Sequence, residues 1–176
     1  NLHFRITACD THKDKYKRLY ELVKRHKTGI IYCSTRKKVE QVYEALSELG
    51  LNVTAYHAGM TDEQREEAQN AFMNRHADIV IATNAFGMGI DRADVRFVAH
   101  FEVPGSVEAY YQEAGRAGRD GDEAYCELLF NHADLRTQEF FIEGVNPGVP
   151  LIVELYELLR KHCSAETHDV AWSMEE

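Results

Sequence analysis

Asp78-Ile-Val-Ile-Ala-Thr-Asn-Ala-Phe-Gly-Met-Gly-Ile-Asp91 opens on a short β-branched run and passes directly into a loop holding Gly87 and Gly89. A run of this length, bounded by turn residues, predicts a buried strand over 78–82. Four other segments read the same way: Gly29-Ile-Ile-Tyr-Cys33, Asn52-Val-Thr-Ala-Tyr56, Arg96-Phe-Val-Ala-His100 and Tyr125-Cys-Glu-Leu-Leu-Phe130. Their spacing suits crossovers, not hairpins. Between them, Val39, Val42, Tyr43, Leu46 and Leu49 share one helical face within 38–49, and Ala68, Ala71 and Phe72 share another within 61–75. Gly50 is expected to close the first of these helices, and Thr61 with Gln64 to open the second as a capping box. Strands alternating with helices predict an α/β three-layer domain, a parallel sheet with helices on both faces, over residues 1–145.

Asn146-Pro-Gly-Val-Pro150 cannot continue a helix and marks a boundary. In the remaining region, 146–176, Leu151, Ile152, Leu155, Leu158 and Leu159 predict a helix over 151–162. With a strand expected at 169–172, this is a linker and a short helical, partly winged-helix-like extension.

Hydrophobic residues at 44% and charged residues at 28% of the 176 place the chain among ordinary globular proteins and argue against disorder. No stretch approaches the roughly 20 apolar residues of a membrane span, and Asn1-Leu2-His3-Phe4-Arg5 does not open a signal peptide. An intracellular location, cytoplasmic or nuclear, and no membrane partner are expected. Cys9, Cys33, Cys126 and Cys163 form no C-x-x-C pair, so no zinc or other metal site is expected, only reduced and mostly buried thiols.

The net charge of −9 hides an asymmetry. Residues 12–38 hold ten lysines and arginines against Asp14 and Glu21, a local charge of +8, whereas 120–176 holds thirteen acids against three bases, a local −10. The basic segment suits a phosphate-rich partner, or else solvates a helix face.

Tyr110-Tyr-Gln-Glu-Ala-Gly-Arg-Ala-Gly-Arg-Asp-Gly121 carries two arginines, each preceded by glycine. Arg116 and Arg119 are expected about one helical turn apart, near a helix end, aimed at a single anion. Guanidinium groups bind phosphate bidentately and stay charged, which suits the β- and γ-phosphates of a nucleotide. The plainer alternative pairs them with Glu113 and Asp120 at the surface. The loop 82–91 lies where ligands bind in open α/β sheets, and Thr83 offers a hydroxyl and an amide to phosphate, although by itself such a loop reads equally as a tight turn. Ser34, His57 and Thr83 each follow a separate predicted strand, so parallel strands bring them to one edge.

These blocks resemble the RecQ branch of superfamily 2 helicases. Gly29 to Arg36 resembles motif IV, Tyr56-His-Ala-Gly-Met60 the block after it, Ala82 to Asp91 motif V, and Gln112 to Arg119 motif VI. The resemblance covers about residues 1–140 and implies the second RecA-like lobe of an ATP-driven, 3′-to-5′ DNA motor of repair and recombination. It implies that Arg119 is the arginine finger, Arg116 its phosphate-contacting neighbour, and Gln112 the interface residue linking ATP state to lobe position. Asp91 then contacts the ribose or the finger arginine, and Gly89 belongs to the ATP side. Ser34, Thr35, Arg36, His57, Gly59, Thr61 and Thr83 line a single-stranded DNA track, although His57 reads equally as a buried structural histidine. ATP and Mg²⁺ are the implied cofactors, and the first lobe is the implied partner. No Walker A loop or Asp-Glu-x-His box is present, so the chain alone is expected to be inactive. Two alternatives are a non-catalytic nucleic-acid-binding or scaffolding domain and the second lobe of an RNA helicase or chromatin remodeller.

Overall fold

The computed structural model describes residues 1–87, 90–136, 139, 150, 153–154 and 156–157. The chain divides into two units, Asn1–Gln138 and Glu139–Glu176. The expected boundary at 146 and most of the extension beyond it lie outside the described residues.

Ten elements build the first unit: β1 (Leu2–Ala8), α1 (His12–His26), β2 (Gly29–Tyr32), α2 (Arg36–Glu48), β3 (Val53–Tyr56), α3 (Asp62–Met73), β4 (Ile79–Ala82), β5 (Phe97–His100), α4 (Val107–Ala114) and β6 (Ala124–Phe130). The strands form one sheet in the order β1-β6-β5-β2-β4-β3, and every pairing is parallel. Alternation along β2 sorts the two cores. Ile31 faces α1 and α2 with Leu19, Leu22, Val39, Val42 and Leu46, while Ile30 and Tyr32 face α3 and α4 with Phe72, Phe86 and Ala114. The three-layer expectation therefore holds.

Local signals acted as read. Gly50, at φ +73°, follows α2 in the left-handed region; its N–H donates to Ser47 O and that of Leu51 to Leu46 O, the paired bonds of a Schellman end. Thr61 Oγ1 accepts from the Gln64 N–H, and Gln64 Oε1 accepts from the Thr61 N–H, which completes the capping box.

Two elements escaped sequence reading. The edge strand β1 pairs residue for residue with β6, and α1 is the helix that carries most of the basic segment. That segment does not act as one patch. Helix α1 begins beside Phe101, where His12 and Tyr16 pack, and ends beside Phe97 and Tyr125, so it runs from the C-terminal edge of the sheet to the opposite edge. Lys24, Arg25 and Lys27 thus lie away from the C-terminal edge of the sheet. Lys15 is fully buried, its Nζ 2.7 Å from Asp134 Oδ2 and 2.5 Å from Phe101 O. Arg18 grips Glu127 with two bonds of 2.6 and 2.8 Å, while Thr7 Oγ1 donates to the same carboxylate.

Candidate functional site

The register places three loops side by side. Tyr32 and Tyr56 both pair with Ala82, so the residues after β2, β4 and β3 leave the sheet in one row. The Cys33 N–H donates to Ala82 O and the Thr83 N–H to Tyr56 O, which extends the ladder one step past the strands. Ser34, Thr83 and His57 therefore share an edge, as expected. Thr83 is buried, and its carbonyl accepts from the Phe86 N–H, so it begins a tight turn.

Helix α2 starts on this edge. Thr35 caps it, its Oγ1 accepting from the Lys38 N–H. The first turns of α1 and α3 carry acids, Asp14 in one and Asp62 and Glu63 in the other, which complement the positive end of the helix dipole. The first turn of α2 carries Arg36, Lys37 and Lys38 and no acid. Cations at a helix N-terminus cost a few tenths of a kcal/mol to about 1 kcal/mol each, and together they concentrate positive potential where backbone N–H groups already favour an anion. The Ser34 N–H is held by Glu102 Oε2 at 2.8 Å, a carboxylate that an arriving phosphate would have to displace.

His57 is buried and engaged at both nitrogens. Its Nδ1 accepts the Gly59 N–H at 3.1 Å, which leaves the proton on Nε2, 2.6 Å from Glu40 Oε1. The ring thus shapes the turn from the inside. The Arg36 side chain lies against Gly59, 3.1 Å from where a Cβ on that glycine would stand, so Arg36, His57 and Gly59 meet in one place. Thr61, exposed, caps α3 beside them.

The arginines depart from expectation in one respect. Helix α4 ends at Ala114 with Gly115 as its cap, so Arg116 and Arg119 stand on the turns beyond it and not on the helix itself. Gly118 has φ +60°, and a Cβ there would meet Asp122 O at 2.9 Å and Asn1 Nδ2 at 2.6 Å; only glycine allows this turn. Neither arginine pairs with Glu113 or Asp120, whose partners are His100 and Arg96. Both instead reach the loop after β4. Arg116 Nη1 donates to Gly87 O at 2.6 Å, and Arg119 Nη1 donates to Asp91 Oδ1 at 2.8 Å and Ile90 O at 3.1 Å. Gly87 is required by this approach, since a Cβ would stand 2.6 Å from Arg116 Nη2. Gly89 lies outside the described residues, and Gln112 is exposed near the end of α4.

Several supporting residues carried no sequence signal. Tyr32 donates its hydroxyl to Phe86 O; burial holds that hydroxyl well above its ordinary pKa, an effect partly offset by the nearby charges of Arg116 and Arg119. Arg92, buried, fastens the far end of the loop: its Nη1 donates to Phe72 O and Ala77 O, its Nε donates to Asp94, and its guanidinium lies over the Phe72 ring. Phe72 and Ala77 are 20 and 15 residues away in sequence. Cys9, Cys33 and Cys126 are buried and free, and burial pushes the Cys126 thiol up to about 11. Cys163 lies outside the described residues. Among the described residues, no cluster of three or more His, Cys, Asp or Glu side chains is arranged to hold a metal ion, and no helix is long and apolar enough to cross a membrane.

A family model described as helicase conserved C-terminal domain matches residues 14–121. The ATP-dependent DNA helicase RecQ of Bacillus subtilis is 43% identical over 143 residues, which cover 81% of this chain and 24% of that protein. The ATP-dependent helicase SGS1 of Saccharomyces cerevisiae is 44% identical over 135 residues, 77% of this chain and 9% of that one. The chain spans a quarter or less of the length of these curated relatives. Among solved structures, a DEAD box protein from Methanococcus jannaschii superposes with a TM-score of 0.68 at 24% identity, over 82% of this chain and 40% of that one. The Escherichia coli DEAD-box protein SrmB, solved bound to regulator of ribonuclease activity A, gives 0.68 at 26%, over 77% and 82% of the two chains. The α/β architecture is that of a RecA-like helicase lobe.

Proposed function

The chain belongs to the family of helicase conserved C-terminal domains, in its RecQ branch, and from that membership we propose that it is the second motor lobe of an ATP-dependent 3′-to-5′ DNA helicase. The seating of Arg116 and Arg119 on one loop, at Gly87 and at Ile90–Asp91, carries this reading. A guanidinium has five donors, and each of these arginines commits Nη1 to the loop; Nε and Nη2 of Arg119 are left to suit phosphate oxygens, whereas Nε of Arg116 is buried and leaves Nη2 for that role. Arg119 keeps 38% of its side-chain surface exposed, which fits a finger reaching out of its own lobe. Asp91 fixes its aim. Gln112, exposed beside this turn, is assigned to the interface with the first lobe.

The row of Ser34, Thr35, Arg36, Gly59, Thr61 and Thr83, with the acid-free start of α2, supports a track for the backbone of single-stranded DNA. His57 supports that track from below and does not touch phosphate. Backbone contacts of this kind make binding strongly salt-dependent and nearly indifferent to base sequence. A scaffolding role would call for the basic edge alone and leaves the seated arginines unexplained. ATP is bound between the lobes in this proposal. Mg²⁺ supplies charge neutralisation at the phosphates when bound, and it is assigned to the first lobe together with the residue that orients the attacking water.

The isolated chain is expected to turn over no ATP, whereas the full-length helicase does so in the presence of single-stranded DNA. DNA-stimulated hydrolysis by a rigorously pure sample of the isolated chain would remove the assignment.

A further inference from the structure

A buried polar pair that the core does not require needs a reason. His100 closes β5 at 1% exposure, yet its Nδ1 has no hydrogen-bond partner among the described residues. Its Nε2 lies 2.8 Å from Oε2 of Glu113 on α4, which is also buried. A bare acceptor is tolerated without a partner more readily than a buried N–H. The proton therefore belongs on Nε2 and is donated to the Glu113 carboxylate. Apolar side chains of similar volume would fill this space without the desolvation penalty.

The surroundings show what the pair holds. The Tyr32 ring stacks on His100 at 5.5 Å and 22°, and the Tyr110 ring packs on it at 4.7 Å. Tyr32 donates its hydroxyl to Phe86 O, and the next carbonyl, Gly87 O, accepts from Arg116 Nη1. The Arg116 backbone N–H donates to Glu113 O at 3.2 Å. These contacts close a ring through Glu113, His100, Tyr32, the Phe86–Gly87 loop and Arg116.

We propose that His100 and Glu113 are positioning residues for ATP hydrolysis. Their hydrogen bond pins the end of α4 to the sheet and so sets where Arg116 and the turn bearing Arg119 stand. The inference rests on the assignment of those arginines to ATP. Without the bond the guanidinium groups are still present but displaced, and misplacement by about 1 Å costs on the order of 100-fold in rate. The loss falls on kcat, because phosphate geometry matters most in the transition state.

The test uses the full-length helicase and measures kcat and KM for ATP with single-stranded DNA, the DNA Kd and the Tm. Glu113→Leu, which keeps the bulk and drops the bond, is expected to lose about 10- to 100-fold in kcat with little change in KM for ATP or in DNA Kd. Glu113→Gln keeps a carbonyl acceptor for His100 Nε2–H and is expected to recover most of the rate. His100→Phe keeps the aromatic stack and is expected to behave as Glu113→Leu, which provides a second route if the leucine variant fails to fold. A parental kcat in Glu113→Leu or His100→Phe, or a Gln variant as impaired as the Leu variant, overturns the proposal. Arg119→Ala run alongside separates the two levels: at the parental rate it would overturn the arginine assignment itself.

Discussion

Replacing Lys15 by methionine removes a charge that α1 carries into the core while keeping its aliphatic stem. The Nζ of Lys15 lies 2.7 Å from Asp134 Oδ2, 2.5 Å from Phe101 O and 5.2 Å from the centre of the Phe101 ring, and the side chain has no exposed surface. Asp134 is 5% exposed and would retain the Asn131 N–H at 3.1 Å, a single bond for a buried carboxylate. Removing one partner of a buried pair costs about 3–5 kcal/mol, because the other charge stays behind without compensation. Against a total stability of about 5–15 kcal/mol this is a large fraction. At roughly 2–4 °C per kcal/mol for a domain of this size, Tm is expected to fall by about 6–20 °C. Urea unfolding of the parent and Lys15→Met followed by circular dichroism gives the difference directly, with the slope m expected to stay constant. The double variant Lys15→Met/Asp134→Leu is expected to recover most of the loss, since no charge remains buried. A cost under about 1 kcal/mol for Lys15→Met would put the pair in the range of an exposed bridge and refute the reasoning.

Acid should destabilise this lobe through Glu127. Burial pushes its carboxyl up, but the hydrogen bonds from Arg18 and Thr7 outweigh that and hold it below the ordinary value of 4.5. A depressed folded pKa means that the contribution is complete above the ordinary value and is lost as pH falls through the folded one. Glu127→Gln should therefore give a shallower loss of stability in acid, and parallel parent and variant curves of urea midpoint against pH would argue against it. Two glycines near the arginines should separate activity from stability. Gly87→Ala places its Cβ 2.6 Å from the far end of the Arg116 side chain, which can move, so ATP turnover should fall with little change in Tm. Gly118→Ala forces φ +60° on alanine and meets the Asp122 backbone carbonyl, so it should cost about 2–4 kcal/mol of stability; equal effects of the two on Tm would contradict this contrast.

What could be read from the sequence was whatever short-range pattern encodes. The runs at 29–33, 52–56, 78–82, 96–100 and 125–130 gave five strands, and their spacing gave the parallel sheet. The strand β1 was not legible because its Phe4 and Ile6 are exposed at the sheet edge, and only pairing with β6, more than a hundred residues away, makes it a strand. Lysine at the buried position 15 masked the apolar stripe of α1 formed by Leu19, Leu22 and Val23. The arginines were found from spacing and resemblance, but their seats were not: Arg116 to Gly87 and Arg119 to Asp91 span 29 and 28 residues. Gly115 stops α4 one residue before Arg116, at φ −66° and without the left-handed turn that Gly50 makes after α2. The buried His100 and Tyr32 and the half-buried Glu102 gave no signal because such side chains look like any other until their partners are known.

The central claim is that Arg119 acts on ATP bound against another lobe, and Arg119→Ala in the full-length helicase tests it most directly. With single-stranded DNA saturating, kcat for ATP hydrolysis should fall by about 10³-fold or more, as for other arginine fingers, while KM for ATP and the DNA Kd change far less. A variant that hydrolyses ATP at close to the parental rate, with the fold intact by circular dichroism, would contradict the account.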